Sequence, residues 1–214
     1  MTKLYLVRHG ETIFNRMQKM QGWADSPLTD KGFADATRAG KRLADVPFAA
    51  VYASDMMRAI RTAKEIVHQS HTNAQADVTI NPDFREVNFG SFEGLDRQAT
   101  WAQVGKPHGF TSKAEILQAT SPETARDWMK EADPRHAAEN TTELWQRLRH
   151  GLALFEDQQE HNILLVTHGT LIRTMVAKFG DQNVAKLAVP ENGSVTTMVF
   201  TPAGWQIERY NITE

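Results

Sequence analysis

The sequence predicts a three-layer α/β/α fold on a largely parallel sheet, and three observations carry that reading. Short apolar runs alternate with amphipathic helical stretches, the pattern of strand–helix units. The first run, Leu4-Tyr5-Leu6-Val7, is unbroken, as in a strand buried on both faces. The chain has 214 residues, 41% of them hydrophobic, enough to enclose a core without disulfides or structural metal.

The elements follow in order. A helix opens after Thr29, with Phe33, Ala36, Gly40 and Leu43 on its apolar face. Ala49 to Ala53 reads as the next strand. Ser54 stands as N-cap of a helix carrying Met56, Ile60, Ala63 and Val67 on one side. Val78-Thr79-Ile80, bounded by Asn81-Pro82, is a third strand. Later come a helix with Leu144, Leu148, Leu152 and Phe155, a strand from Ile163 to Val166, and a helix with Leu171, Ile172, Met175 and Phe179. Val195–Phe200 and Trp205–Tyr210 flank a Thr-Pro-Ala-Gly turn as a closing hairpin. Roughly Leu95 to Arg135 holds three X-Pro breaks and no strand pattern. It is expected to be a helical insert over the active site, within one domain spanning residues 1–214.

Composition excludes several functions. There is no Cys, hence no disulfide scaffold, thiolate nucleophile or cysteine-held metal. Lys and Arg total 24 against 26 Asp and Glu, so no broad positive field for nucleic acid is expected. No apolar run approaches the roughly 20 residues that span a bilayer, and Arg8, His9 and Glu11 interrupt the first one. A cytoplasmic protein with no nucleic-acid or membrane partner is the expectation.

One pattern carries chemistry. Leu4 to Val7 and Ile163 to Val166 each continue into a polar residue, a His and a Gly: Arg8-His9-Gly10 and Thr167-His168-Gly169. The carboxyl ends of strands line the ligand crevice of an open α/β sheet, so the two imidazoles are expected to face each other. A solitary strand-end His is commonly structural; two in matching context point to a site. Zinc with Glu86 as third ligand is one reading. Arg8 and Arg58 oppose it, because guanidinium groups repel a metal cation and match a phosphate. Helix starts after Ser54 and Gly169 are expected to add backbone donors. The site therefore reads as a phosphate pocket.

The blocks LYLVRHGET, QGWADSPLTDKG, ASDMMRAIRTA, FREVNFGSFEG and VTHGTLIR resemble the histidine phosphatase superfamily, in the branch of the cofactor-dependent phosphoglycerate mutases and related phosphatases. The resemblance implies a phosphoglycerate mutase-like fold, with a mixed, mostly parallel central sheet. It implies His9 as the phosphorylated nucleophile, and Arg8, Arg58 and His168 around the phosphoryl oxygens. Asn15 would contact phosphate, Glu86 would be the general acid, and Gln21 and Gly22 would line the pocket mouth beside Gly169. No metal or organic cofactor is implied. The expected activity is a phosphomonoesterase, of histidine acid phosphatase type, acting on a small soluble phosphate ester. A bisphosphoglycerate-primed mutase is the alternative, and a non-catalytic phospho-ligand module a third.

Other residues have plainer readings. Glu86 could pair with Arg85 at the surface, and Arg61, one turn beyond Arg58, is a solvated or structural charge. Phe14, Met17, Met20, Trp23 and Phe110 are packing residues or an apolar pocket. Two departures from the family stand out. Ala138-Glu139-Asn140 replaces a Gly-Glu-Ser block. No Arg-rich stretch like that of the glycolytic mutases lies between Leu95 and Arg135, where Trp101, Lys106, His108 and Lys130 occur instead. That absence is the main ground for placing hydrolysis ahead of mutation.

Overall fold

The computed structural model describes residues 1–72, 74–156, 161–180 and 189–214. Among them are strands β1 (Thr2–Arg8), β2 (Phe48–Ala53), β3 (Val78–Ile80), β4 (Asn162–Thr167), β5 (Val195–Thr201) and β6 (Gly204–Ile212). The helices are α1 (Ile13–Arg16), α2 (Asp30–Arg42), α3 (Met57–His68), α4 (Arg97–Gly105), α5 (Lys113–Ala119), α6 (Pro122–Ala132), α7 (Thr141–Glu156) and α8 (Gly169–Phe179). The sheet order is β3-β2-β4-β1-β5-β6. The first four strands run parallel, while β5 is antiparallel to β1 and forms the closing hairpin with β6. The sheet is thus mixed and mostly parallel, as the sequence predicts.

Alternate residues of each central strand feed opposite layers. Leu4, Leu6, Ile163 and Leu165 pack with Leu148, Phe155, Leu171 and Met175 of α7 and α8. Val7, Leu164 and Val166 pack with Ala39, Ala63 and Val67 of α2 and α3. Both faces of β1 and β4 are covered, which explains their continuous apolar sequence.

Two local expectations are corrected. Phe33 is 40% exposed, and the buried face of α2 is formed instead by Gly32, Ala36, Ala39 and Gly40. Glycine is required at position 32, where a Cβ would lie 2.0 Å from the Glu11 carbonyl oxygen. Ser54 is not a cap: α3 starts at Met57, its N-cap is Met56, and no side chain bonds the helix end. The Ser54 hydroxyl is held elsewhere, as described below.

The segment from 95 to 135 folds as α4, α5 and α6, joined by a short 3-10 turn at Lys106–His108. Asp96, Ser112 and Ser121 cap these helices through their side-chain oxygens. No helix among the described residues is long and apolar enough to cross a membrane.

Candidate active site

β1 and β4 pair in register, Arg8 opposite Thr167, so His9 and His168 leave the sheet side by side. His9 N–H extends the ladder to the Thr167 carbonyl at 3.0 Å. The imidazole centroids lie 5.2 Å apart, close to the spacing between neighbouring strands. Both rings are buried. His9 Nδ1 is 2.8 Å from the Gly10 carbonyl oxygen, which can only accept, so the ring proton sits on Nδ1. Nε2 then carries the lone pair, and no hydrogen bond engages it among the described residues. Burial, followed by the charges of Arg58 and Arg8, holds the His9 pKa well below the ordinary histidine value. The ring is neutral at pH 7, as a nucleophile must be.

His168 is organised differently. Its Nδ1 accepts from Arg58 Nε at 3.3 Å, which leaves Nε2–H to donate to Ser54 Oγ at 2.6 Å. Arg58 is buried and donates through Nη1 to the Ala24 carbonyl and Asp25 carboxylate, and through Nη2 to the Gly22 carbonyl. One Nη2 hydrogen remains uncommitted.

A cavity of about 280 Å³ opens beside His9, lined by Arg8, Asn15, Gln21, Glu86, Arg97, Lys113 and Arg173 among others. Arg8 Nη1 donates to the Pro190 carbonyl at 2.6 Å, but its enclosed Nε has no partner. Arg8 stays charged, with burial lowering its pKa to about 10. Gln21 Oε1 accepts from Thr12 Oγ1 and Ser26 Oγ. Both hydroxyls already accept a backbone N–H, so the amide is locked with Nε2 as its free end, and that nitrogen is buried without a partner. Asn15 Oδ1 likewise accepts from Thr12 N–H and Asn192 Nδ2, leaving its own Nδ2 to donate. Buried donors without acceptors are rare and costly. Here two of them border one cavity.

Glu86 occupies the start of α8. Its Oε1 accepts from Val87 and Leu171 N–H at 3.0 Å, and Oε2 from Thr170 N–H at 2.8 Å. The amides expected to serve a phosphate at this helix end are therefore given to Glu86, and α3 starts too late to offer donors beside Ser54. Arg85 does not pair with Glu86; it binds Asp55 and stacks over Trp23, 4.4 Å from the ring centre. Among the described residues no three His, Cys, Asp or Glu side chains cluster as metal ligands.

Of the residues singled out in the sequence, Arg8, His9, Asn15, Gln21, Glu86 and Gly169 line the cavity, and Arg58 and His168 stand against His9. Gly22 does not line it. Its N–H is bound by Glu93, its carbonyl holds Arg58, and a Cβ there would lie 2.0 Å from the Val87 carbonyl oxygen. Met20 and Trp101 reach the cavity, whereas Met17 is exposed and Lys130 pairs with Glu143.

Sequence reasoning missed three supporting groups. Glu93 gathers the N–H groups of Gly22, Trp23, Ala24 and Phe89. Ser54 fixes His168. Arg147 binds the carbonyls of Asp83, Arg85 and Glu86 and pairs with Glu139 at 2.6 Å, building the platform under Glu86. The spacing of Glu139 and Arg147, eight residues apart across the start of α7, is the one signal that was available. The cavity is also more basic than the sequence implies. Arg97 and Lys113 come from the insert and Arg173 from α8, converging without any Arg-rich stretch.

The profile of the histidine phosphatase superfamily (branch 1) matches residues 4–213, and the chain belongs to that family. A 2,3-bisphosphoglycerate-dependent phosphoglycerate mutase of Corynebacterium glutamicum is 30% identical over 207 residues, covering 88% of this chain and 82% of the relative. The crystal structure of a phosphoglycerate mutase from Bacillus anthracis superposes with TM-score 0.92 and 36% identity, covering 99% of this chain and 93% of that one. A putative alpha-ribazole-5'-P phosphatase from Escherichia coli shares the fold, with TM-score 0.73 and 22% identity, over 100% of this chain and 98% of that one.

Proposed function

We propose that this chain hydrolyses a small phosphate monoester through a phosphohistidine on His9. The observation that carries the reading is a neutral imidazole with an unengaged Nε2, bordered by the partnerless donors Arg8 Nε and Gln21 Nε2. His9 Nε2 attacks phosphorus as the ester P–O bond breaks, and Arg8, Arg58, Gln21 and Asn15 receive the phosphoryl oxygens. The alkoxide takes its proton from Glu86. Oε2 accepts one N–H against two at Oε1, so Oε2 is the oxygen with room for that proton. Water then attacks the phosphohistidine, returns a proton to Glu86 and releases inorganic phosphate. In this scheme His168 holds Arg58 and the rear of the site, and reaches an oxygen only by exchanging a present hydrogen bond.

The test is brief incubation with radiolabelled substrate, followed by mapping of an acid-labile, base-stable label. The label is expected on His9. His9→Ala should abolish it and cut phosphate release by about 10³-fold or more, with the fold retained. Release that persists in this variant overturns the scheme.

Phosphoryl transfer between positions of a phosphoglycerate is the second reading, favoured by the resemblance to enzymes named as mutases. Arg97, Lys113 and Arg173 on the cavity wall support it as well. A coupled assay for 2-phosphoglycerate formation, with and without bisphosphate primer, separates the two.

A further inference from the structure

We propose that the cleft between α2 and the loop leading into β5 binds a polyphosphate chain, at a site separate from the catalytic cavity. The site stands independently of the phosphohistidine reading, because none of its three α2 cations lines the catalytic cavity.

The cleft holds about 410 Å³ and is lined by Lys31, Asp35, Arg38 and Arg42 of α2, with Glu191 and Asn192 on the loop. At 3.6 residues per turn, the four α2 positions fall within a stripe about 60° wide. At 1.5 Å per residue, Lys31 and Arg42 stand roughly 16 Å apart along the helix axis. A row of cations on one rigid helix face matches a row of phosphates better than a single one. Guanidinium groups also take phosphate oxygens in pairs.

The cations outnumber the acids. Asp35 is buried and is shared by Lys31 at 3.2 Å, by Arg38 and by the Glu11 N–H. Lys31 also lies 3.8 Å from Glu11, a carboxylate that Arg16 shares. Arg42 has no carboxylate partner among the described residues. It donates to the carbonyls of Gly193, at 3.2 Å, and Thr213, while burial and the charge of Arg38 lower its pKa. Glu191 is the other lining acid and makes no ion pair among the described residues. With Arg8, four basic side chains border the cleft against two carboxylates. Guanidinium groups held by carbonyls keep their full charge, so the cleft retains a positive field that an anion completes.

The cleft stands back to back with the phosphate pocket. Arg8 borders both cavities, and Asn192 donates to the His9 carbonyl at 2.8 Å and to Asn15 Oδ1.

The experiment is calorimetric titration of the intact protein with sodium tripolyphosphate, with ATP as a second arm and inorganic phosphate as the short control. The two arms separate an inorganic chain from that of a nucleotide: equal affinities assign recognition to the chain, and tighter ATP adds a nucleoside contact to it. Lys31→Gln with Arg38→Gln changes two exposed side chains outside the catalytic cavity. The double variant is expected to weaken tripolyphosphate by about tenfold or more, the scale of two lost charge-assisted contacts, and inorganic phosphate by about threefold or less. Arg38→Gln alone carries the test if the double variant fails to fold, since Asp35 then keeps Lys31. Tripolyphosphate and ATP affinities unchanged in a folded variant place the chain elsewhere and overturn the proposal. An equal loss for inorganic phosphate overturns it too.

Discussion

Ser54 Oγ lies 2.6 Å from His168 Nε2, so the second strand-end imidazole is clamped between a hydroxyl and the Nε of Arg58. The clamp selects one tautomer, with the proton on Nε2. Ser54→Ala removes the acceptor and is expected to lower kcat about tenfold, with KM little changed, as Arg58 loses its fixed partner. Nitrogen NMR provides the decisive readout. The Nε2–H tautomer of His168 should give way to a mixture, and an unaltered spectrum would refute the role.

Gly169 is a steric requirement of the phosphate pocket. A Cβ there would sit 2.5 Å from Val189 Cγ1 and 3.1 Å from Arg8 Nε. Gly169→Ala is expected to displace Arg8, raise KM for phosphate esters several-fold, and weaken inhibition by inorganic phosphate in parallel. Titration with phosphate checks it.

Arg147 and Glu139 support the general-acid platform from below. Removing one partner leaves the other charge buried, which costs roughly 3 kcal/mol or more. Arg147→Met should therefore lower unfolding stability by about that amount in urea titration, and Arg147→Met with Glu139→Gln should recover part of it. Activity is expected to fall in both variants, since the carbonyls of Asp83, Arg85 and Glu86 lose their common donor.

Acid should weaken the fold through the paired imidazoles. Burial and neighbouring cations hold His9 and His168 well below the ordinary histidine value of 6.5. The unfolded chain binds protons that the folded chain refuses, so stability falls as pH drops below about 6.5. Each ring contributes a slope of up to about 1.4 kcal/mol per pH unit until its folded pKa is reached. The measured slope between pH 6 and 5 should shrink in His9→Asn.

The apolar runs of β1 and β4, the helix faces around Ala36, Ala63 and Leu148, and the closing hairpin were legible because a buried strand or helix face writes its period into the sequence. The paired His-Gly endings were legible because strand ends carry chemistry in such sheets. Ser54 was misread because a hydroxyl before a helix is usually a cap, and only tertiary pairing gave it to His168. Phe33 was misread because the first turn of α2 is seated through Gly32, against Gly10 and Glu11, while Phe33 beside it faces outward. Arg173 and Lys113 were invisible as a pair, since separate elements bring them together and neither has a partner nearby in sequence.

The register of β1 on β4 has one more consequence. The two imidazoles are brought together by main-chain pairing between the first strand and one made far later, which inserts between β1 and β2. A nascent chain on the ribosome that has not yet exposed residues 162–168 holds only half of the constellation, whatever helices it has formed. Such a chain stays chemically silent until the last parallel strand docks.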